Sequence, residues 1–188
     1  MATRDALEKR LHHNAKVIWL FGLSGSGKST LATHLAGQLR IRGIPVLALD
    51  GDAVRSGLCQ GLGFSDADRA ENLRRSAELA VLALKSGLSV VASFITPLES
   101  HRQLVTGIIG TDHLSLVLLD APLDTCRARD VKGLYAGATA GKVAQMTGLT
   151  SRFEKPTSIA LAIDTATQSA EASAAQLLEY TLLQLAAQ

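Results

Sequence analysis

Apolar residues fall in five short runs along the chain, at positions 17–21, 46–49, 90–94, 116–119 and 161–163. Most of these runs lack polar alternation, so they predict strands of a parallel sheet covered on both faces. The segments between them carry a different period. Leu31, Leu35 and Leu39 mark one helix face, and Leu73, Ala77, Ala80 and Leu84 recur at steps of three and four on another. The Ala- and Leu-rich stretch 169–185 predicts a final helix. Strands alternating with helices imply right-handed βαβ units. The expectation is therefore an α/β fold, a doubly wound and mainly parallel five-stranded sheet with helices on both faces. No internal repeat interrupts the alternation, and residues 1–188 suffice for one domain with one sizeable core.

One segment breaks the pattern. Residues 132–156 carry Gly133, Gly137, Gly141 and Gly148, with only a short helical hint at 142–146. So glycine-rich a stretch inside a compact domain reads as a functional lid.

Composition narrows the possibilities further. The apolar share is 47% and the charged share 19%, with a formal net charge of +2. That balance is too small to drive nucleic-acid or membrane binding through field effects. No basic stripe or aromatic series accompanies it. Cys59 and Cys126 are the only cysteines and form no CxxC pair, which argues against a disulfide scaffold or zinc site and fits a reducing, cytoplasmic setting. The charged first sixteen residues lack the apolar stretch of a secretory leader, and His12 with His13 reads as a solvated pair. No apolar run approaches the roughly 18 residues of a membrane span.

The strongest chemical signal follows the first apolar run. Gly22-Leu23-Ser24-Gly25-Ser26-Gly27-Lys28-Ser29 matches GxxxxGK[ST], with Thr30 next. Glycines there let successive backbone N–H groups turn onto phosphate oxygens, and the following helix adds the positive end of its dipole. Lys28 reaches the β- and γ-phosphates, and the Ser29 hydroxyl can ligate Mg²⁺. The strand before and the helical pattern after supply the context that separates this motif from a chance glycine turn. A dinucleotide-binding reading fails, because Thr30 stands where the third glycine would be. The loop predicts nucleoside triphosphate binding by a P-loop fold.

A second cluster closes the next run, at Asp50-Gly51-Asp52-Ala53-Val54-Arg55. Strand ends of an open α/β sheet face the ligand crevice. One carboxylate there can orient Mg²⁺ while the other accepts a proton from an attacking hydroxyl. An Asp-Gly-Asp turn with solvated acids is the alternative. Further on, Ser65 can cap a helix whose Arg69, Asn72 and Ser76 share a face distinct from the apolar one. With Arg55 they could grip an anion. Glu71, Arg74, Arg75 and Glu78 read as surface pairs.

Three blocks now resemble the adenylylsulfate (APS) kinase family: GLSGSGKST, DGDAVRSGL running to LGFSDADRAENLRR, and RDVKGLYAGA followed by TGL. The match spans nearly the whole chain in order and spacing. The resemblance implies transfer of the ATP γ-phosphoryl to the 3′-hydroxyl of APS, with Mg²⁺ as cofactor and a homodimeric enzyme. It assigns Asp52 as the catalytic carboxylate and Asp50 to the metal region. Arg55, Arg69, Asn72 and Ile95 would serve the acceptor side, and Phe64 would stack on the APS adenine. Lys132, Gly133 and Leu134 would belong to the lid, Arg127 and Arg129 would lie near ATP, and Asp164 with Thr165 would line its adenine pocket. Three positions depart from the family pattern. Ala53 replaces an asparagine, Thr96 replaces a serine with a weak catalytic claim, and Met146 replaces an aromatic wall of the acceptor pocket. A P-loop kinase of another small hydroxylated acceptor, or a non-catalytic nucleotide-binding module, are the rival readings.

Overall fold

The computed structural model describes residues 14–141 and 145–186. Its five strands are β1 (Val17–Phe21), β2 (Val46–Asp50), β3 (Ser89–Ser93), β4 (Leu114–Asp120) and β5 (Leu161–Asp164). They form one sheet in the order β2-β3-β1-β4-β5, and every adjacent pair is parallel. All five predicted strands are present, β1 with the same ends and the others with one or both ends moved by at most two residues.

Burial explains the unbroken apolar runs. Every residue of β1 and β3 is buried, since β1 has a strand on each side and a layer of helices on each face. Successive β1 side chains divide between two cores. Val17, Trp19 and Phe21 join Leu73, Ala77, Ala80 and Val105, whereas Ile18 and Leu20 join Leu31, Leu35, Leu39 and Leu177. The first core lies under α3 (Asp66–Lys85) and α4 (Glu99–Ile109), and the second under α1 (Lys28–Ile41) and α7 (Ala170–Leu185). Ser65 caps α3 by accepting from the Asp68 N–H at 3.1 Å, and Ser169 caps α7 from Ala172 at the same distance. Cys59 and Cys126 are free and buried. No helix among the described residues is long and apolar enough to cross a membrane.

Shorter helices complete the description: α2 (Gly51–Ser56), α5 (Leu123–Arg129) and α6 (Leu134–Thr139). The last corrects the expectation of an almost unstructured lid. Asp130 accepts from the N–H groups of Tyr135 and Ala136 at 3.1 and 3.0 Å, and Tyr135 is buried. That carboxylate and that anchor let a six-residue helix form in a glycine-rich stretch. Of the expected 142–146 helix, residues 142–144 lie outside the described residues, and Gln145 and Met146 are not helical.

Candidate active site

The carboxyl ends of β1, β2 and β3 open into a cavity of about 1140 Å³. The sheet order explains its place, because the chain leaves β1 toward β2 and β3 on one side and returns as β4 on the other. Residues 24–30 of the phosphate loop form one end. Gly25 and Gly27 adopt φ of 81° and 91°. A Cβ at Gly25 would lie 2.8 Å from the Cys126 carbonyl oxygen, so the loop needs glycine there for both conformation and space. Gly22 sits at the root of the loop, with its N–H bonded to the Ile95 carbonyl at 3.3 Å.

The Lys28 ammonium donates to the Leu23 carbonyl at 2.6 Å. Burial pushes its pKa down to about 8, against the opposing pull of Cys126, Asp50 and Asp52. Asp50 is locked in place. One oxygen accepts from Ser29 Oγ at 2.7 Å and Ser93 Oγ at 2.8 Å, and the other from the Asp52 N–H at 3.0 Å. Burial alone would raise its pKa, but these bonds outweigh it and hold the carboxyl below its ordinary value. Asp52, one helical step on, is exposed and ion-paired with Lys132 from the lid segment. Of the two DGD acids, Asp50 is therefore held as the N-cap of α2, and Asp52 stays in contact with solvent.

Opposite the phosphate loop, Arg55, Phe64, Arg69 and Asn72 line the cavity. Arg55 and Arg69 lie 4.6 and 5.6 Å from the Phe64 ring centroid, and the ring is 56% exposed. Arg69 is buried, anchored on the Phe64 carbonyl at 2.9 Å, and reaches the Gln145 carbonyl at 3.2 Å. Burial first, then the neighbouring Arg55 charge, pushes its pKa down. Two guanidinium groups over one ring, neither held in an ion pair among the described residues, suit an anion at this end. Asn72 is 2% exposed, and its Nδ2 has no hydrogen-bond partner. A buried amide left unpaired beside a cavity is a donor awaiting a ligand.

Ile95, Thr96, Lys132, Leu134 and Met146 also line the cavity, as do Arg129 and Thr165. Arg129 donates to the carbonyls of Thr165 at 2.6 Å and Gly25 at 3.3 Å, and Thr165 Oγ1 to that of Ser26 at 3.1 Å. Four expected residues stand apart. Gly22 and Leu23 support the loop without lining the cavity, and Arg127 is exposed outside it. Asp164 also stays outside, bonding Thr167 and capping its own turn. Ser76 turns away and bonds the Asn72 carbonyl at 2.8 Å. Glu71 pairs with Arg74 and Arg75 as a surface cluster.

Thr96 is buried at φ 43°, inside the left-handed region that favours glycine. Its hydroxyl accepts from the Trp19 indole at 2.9 Å, so this side chain is committed to the core. Sequence reasoning missed Ser93, Thr147, Gln168 and Ser173 on the cavity wall. Ser93 ends β3, and the rule that strand ends face the crevice would have found it.

The adenylylsulphate kinase family model matches residues 14–164. The chain belongs to the adenylylsulphate kinase family. It is 46% identical to an adenylyl-sulfate kinase of Bacteroides thetaiotaomicron over 97% of this chain and 90% of that one. Against an adenylyl-sulfate kinase of Shewanella amazonensis the identity is 44%, over 90% and 86% of the two chains. The structure of the Mycobacterium tuberculosis APS kinase in complex with AMPPNP and APS superposes with a TM-score of 0.85. Identity there is 39%, covering 90% of this chain and 98% of that one.

Proposed function

We propose that the protein phosphorylates the 3′-hydroxyl of adenylylsulfate with ATP, giving 3′-phosphoadenylylsulfate and ADP. The observation that carries this is one cavity with a phosphate loop at one end and, at the other, Arg55, Arg69 and the unpartnered Asn72 amide around Phe64, with Asp52 between. The aromatic ring and guanidinium groups suit a nucleotide base and its acidic phosphosulfate group.

The chemistry follows from position. Loop N–H groups and Lys28 cradle the triphosphate. The acceptor hydroxyl attacks the γ-phosphorus in line, forming the new O–P bond as the bond to the ADP oxygen breaks. Asp52 takes the hydroxyl proton. Lys132 faces Asp52 from the lid segment and keeps a cation where negative charge develops. The oxygens of Ser29 and Asp50 suit Mg²⁺, which prefers one or two carboxylates alongside substrate phosphates and water. Bound there, the ion would neutralise charge on the transferring phosphoryl group. Closure of the segment 132–156 would exclude water from the reaction.

ATP consumption with Mg²⁺, with and without APS, and product mass test the proposal. APS-dependent ADP release with phosphoadenylylsulfate is expected; ATP binding with turnover only of another hydroxylated acceptor would overturn it. Asp52→Asn should lower kcat by about 10²–10⁴-fold with ATP affinity retained. A homodimer is proposed on the family resemblance, testable by light scattering as twice the 19.8 kDa chain mass. A cytoplasmic setting is proposed on the two free, buried cysteines.

A further inference from the structure

We propose that Arg102 is a positioning residue, setting the acceptor wall formed by Ile95, Thr96 and Pro97 without itself reaching the cavity. The inference rests on the reading of the arginine-lined end as the acceptor end. Arg102, on α4, is 1% exposed. Its guanidinium donates to the carbonyls of Thr96 at 3.1 Å, Pro97 at 3.3 Å and Glu154 at 3.1 Å, and to Glu99 Oε2 at 2.9 Å. Its face lies 5.4 Å from the centroid of Phe21, the residue just before the phosphate loop.

Each partner is tied in turn. Glu99 also accepts from Thr157 Oγ1 at 2.9 Å, and its own N–H donates to Glu154 Oε2 at 2.7 Å. The Glu154 N–H donates to the Pro97 carbonyl at 2.8 Å. One buried cation therefore joins three segments: the end of β1, the turn 95–97 and the chain emerging from the lid. The turn needs such a clamp. Thr96 occupies a backbone region that L side chains rarely adopt, and such residues persist only where the surroundings over-determine them. Next door on α4, buried His101 lies close to Asp66 and Arg69, so α4 also backs the acceptor end of α3. A planar five-donor fork serves three carbonyls and a carboxylate at once; a lysine ammonium has neither that reach nor that geometry.

The structure supplies its own reporter, because Trp19 is the single tryptophan of the chain and its indole donates to Thr96 Oγ1. Arg102→Lys is expected to raise KM for adenylylsulfate about tenfold, a fraction of the roughly hundredfold that a 1 Å misplacement costs, with KM for ATP within about twofold. Trp19 emission should shift in the free protein. Glu99→Gln, which leaves the buried cation in place, should move both readouts in the same direction by less and serves if Arg102→Lys does not fold. Wild-type emission together with wild-type acceptor KM in the folded variant would overturn the proposal, as would a lower kcat with both KM values unchanged. A wild-type protein that fails to phosphorylate adenylylsulfate would refute the proposed function instead. The clamp would then be decided by Trp19 alone: shifted emission with unchanged ATP affinity supports it, and unshifted emission overturns it.

Discussion

Binding of ATP should draw a proton onto the enzyme above neutral pH. Burial holds Lys28 at about 8 in the free protein, down from 10.5. Its amine there rests on the Leu23 carbonyl, a weak substitute for the triphosphate it is placed to meet. The sign follows directly. A group with a lowered pKa is charged below that value and loses its charge as pH rises through it. At pH 7 about nine chains in ten carry the ammonium, and at pH 9 about one in ten. Triphosphate binds the charged form, so apparent ATP affinity should fall by about tenfold between pH 7 and 9, with uptake of about 0.9 proton per ATP at pH 9. Neighbouring groups do not imitate this. Tyr135 is pushed up to about 12 by burial, Cys126 is also raised by burial, and buried His101 is lowered and titrates below the window. Calorimetry at pH 9 in two buffers of different ionisation enthalpy reads the uptake directly. Lys28→Met should bind ATP weakly at both pH values with no uptake. Equal heats in both buffers for the wild type would refute the reasoning, as would a flat affinity from pH 7 to 9.

Asn72 and Thr96 give two further tests. Asn72→Ala should raise KM for adenylylsulfate by roughly 10-fold, the worth of about 1.4 kcal/mol for one buried hydrogen bond, with KM for ATP unchanged; steady-state kinetics with each substrate varied checks it. Thr96→Val keeps the shape but leaves the Trp19 indole N–H unpaired in the core. It should therefore lower unfolding stability by about 1–3 kcal/mol, read from urea denaturation followed by Trp19 emission.

Asp50 shows how tertiary contacts changed the meaning of a legible residue. Its position after an apolar run marked it as a crevice carboxylate, but the hydroxyls that fix it come from Ser29 and Ser93, which lie 21 and 43 positions away. Arg127 and Arg129 were indistinguishable by type and neighbourhood. Two positions along a helix turn a side chain through roughly 200°, so one meets Thr165 and Gly25 while the other faces solvent. Arg69 and Asn72 share a helix face whose spacing pointed to an anion grip, but spacing does not tell what covers that face. Both are buried, and Arg69 is bonded to the Gln145 carbonyl.

The sequence by itself determined the layers, the strands, the phosphate loop and the α3 cap, because each depends on a local period or on backbone chemistry within a few residues. It also carried the resemblance that names the chemistry, through blocks whose order survives in the fold. The packing alone showed which arginines enter the cavity, that Thr96 is bound to Trp19, and that Arg102 ties the turn 95–97 to Glu154. Those facts are contacts between elements distant along the chain. Spacing within an element fixes which face a residue occupies, whereas the packing of elements fixes what that face meets.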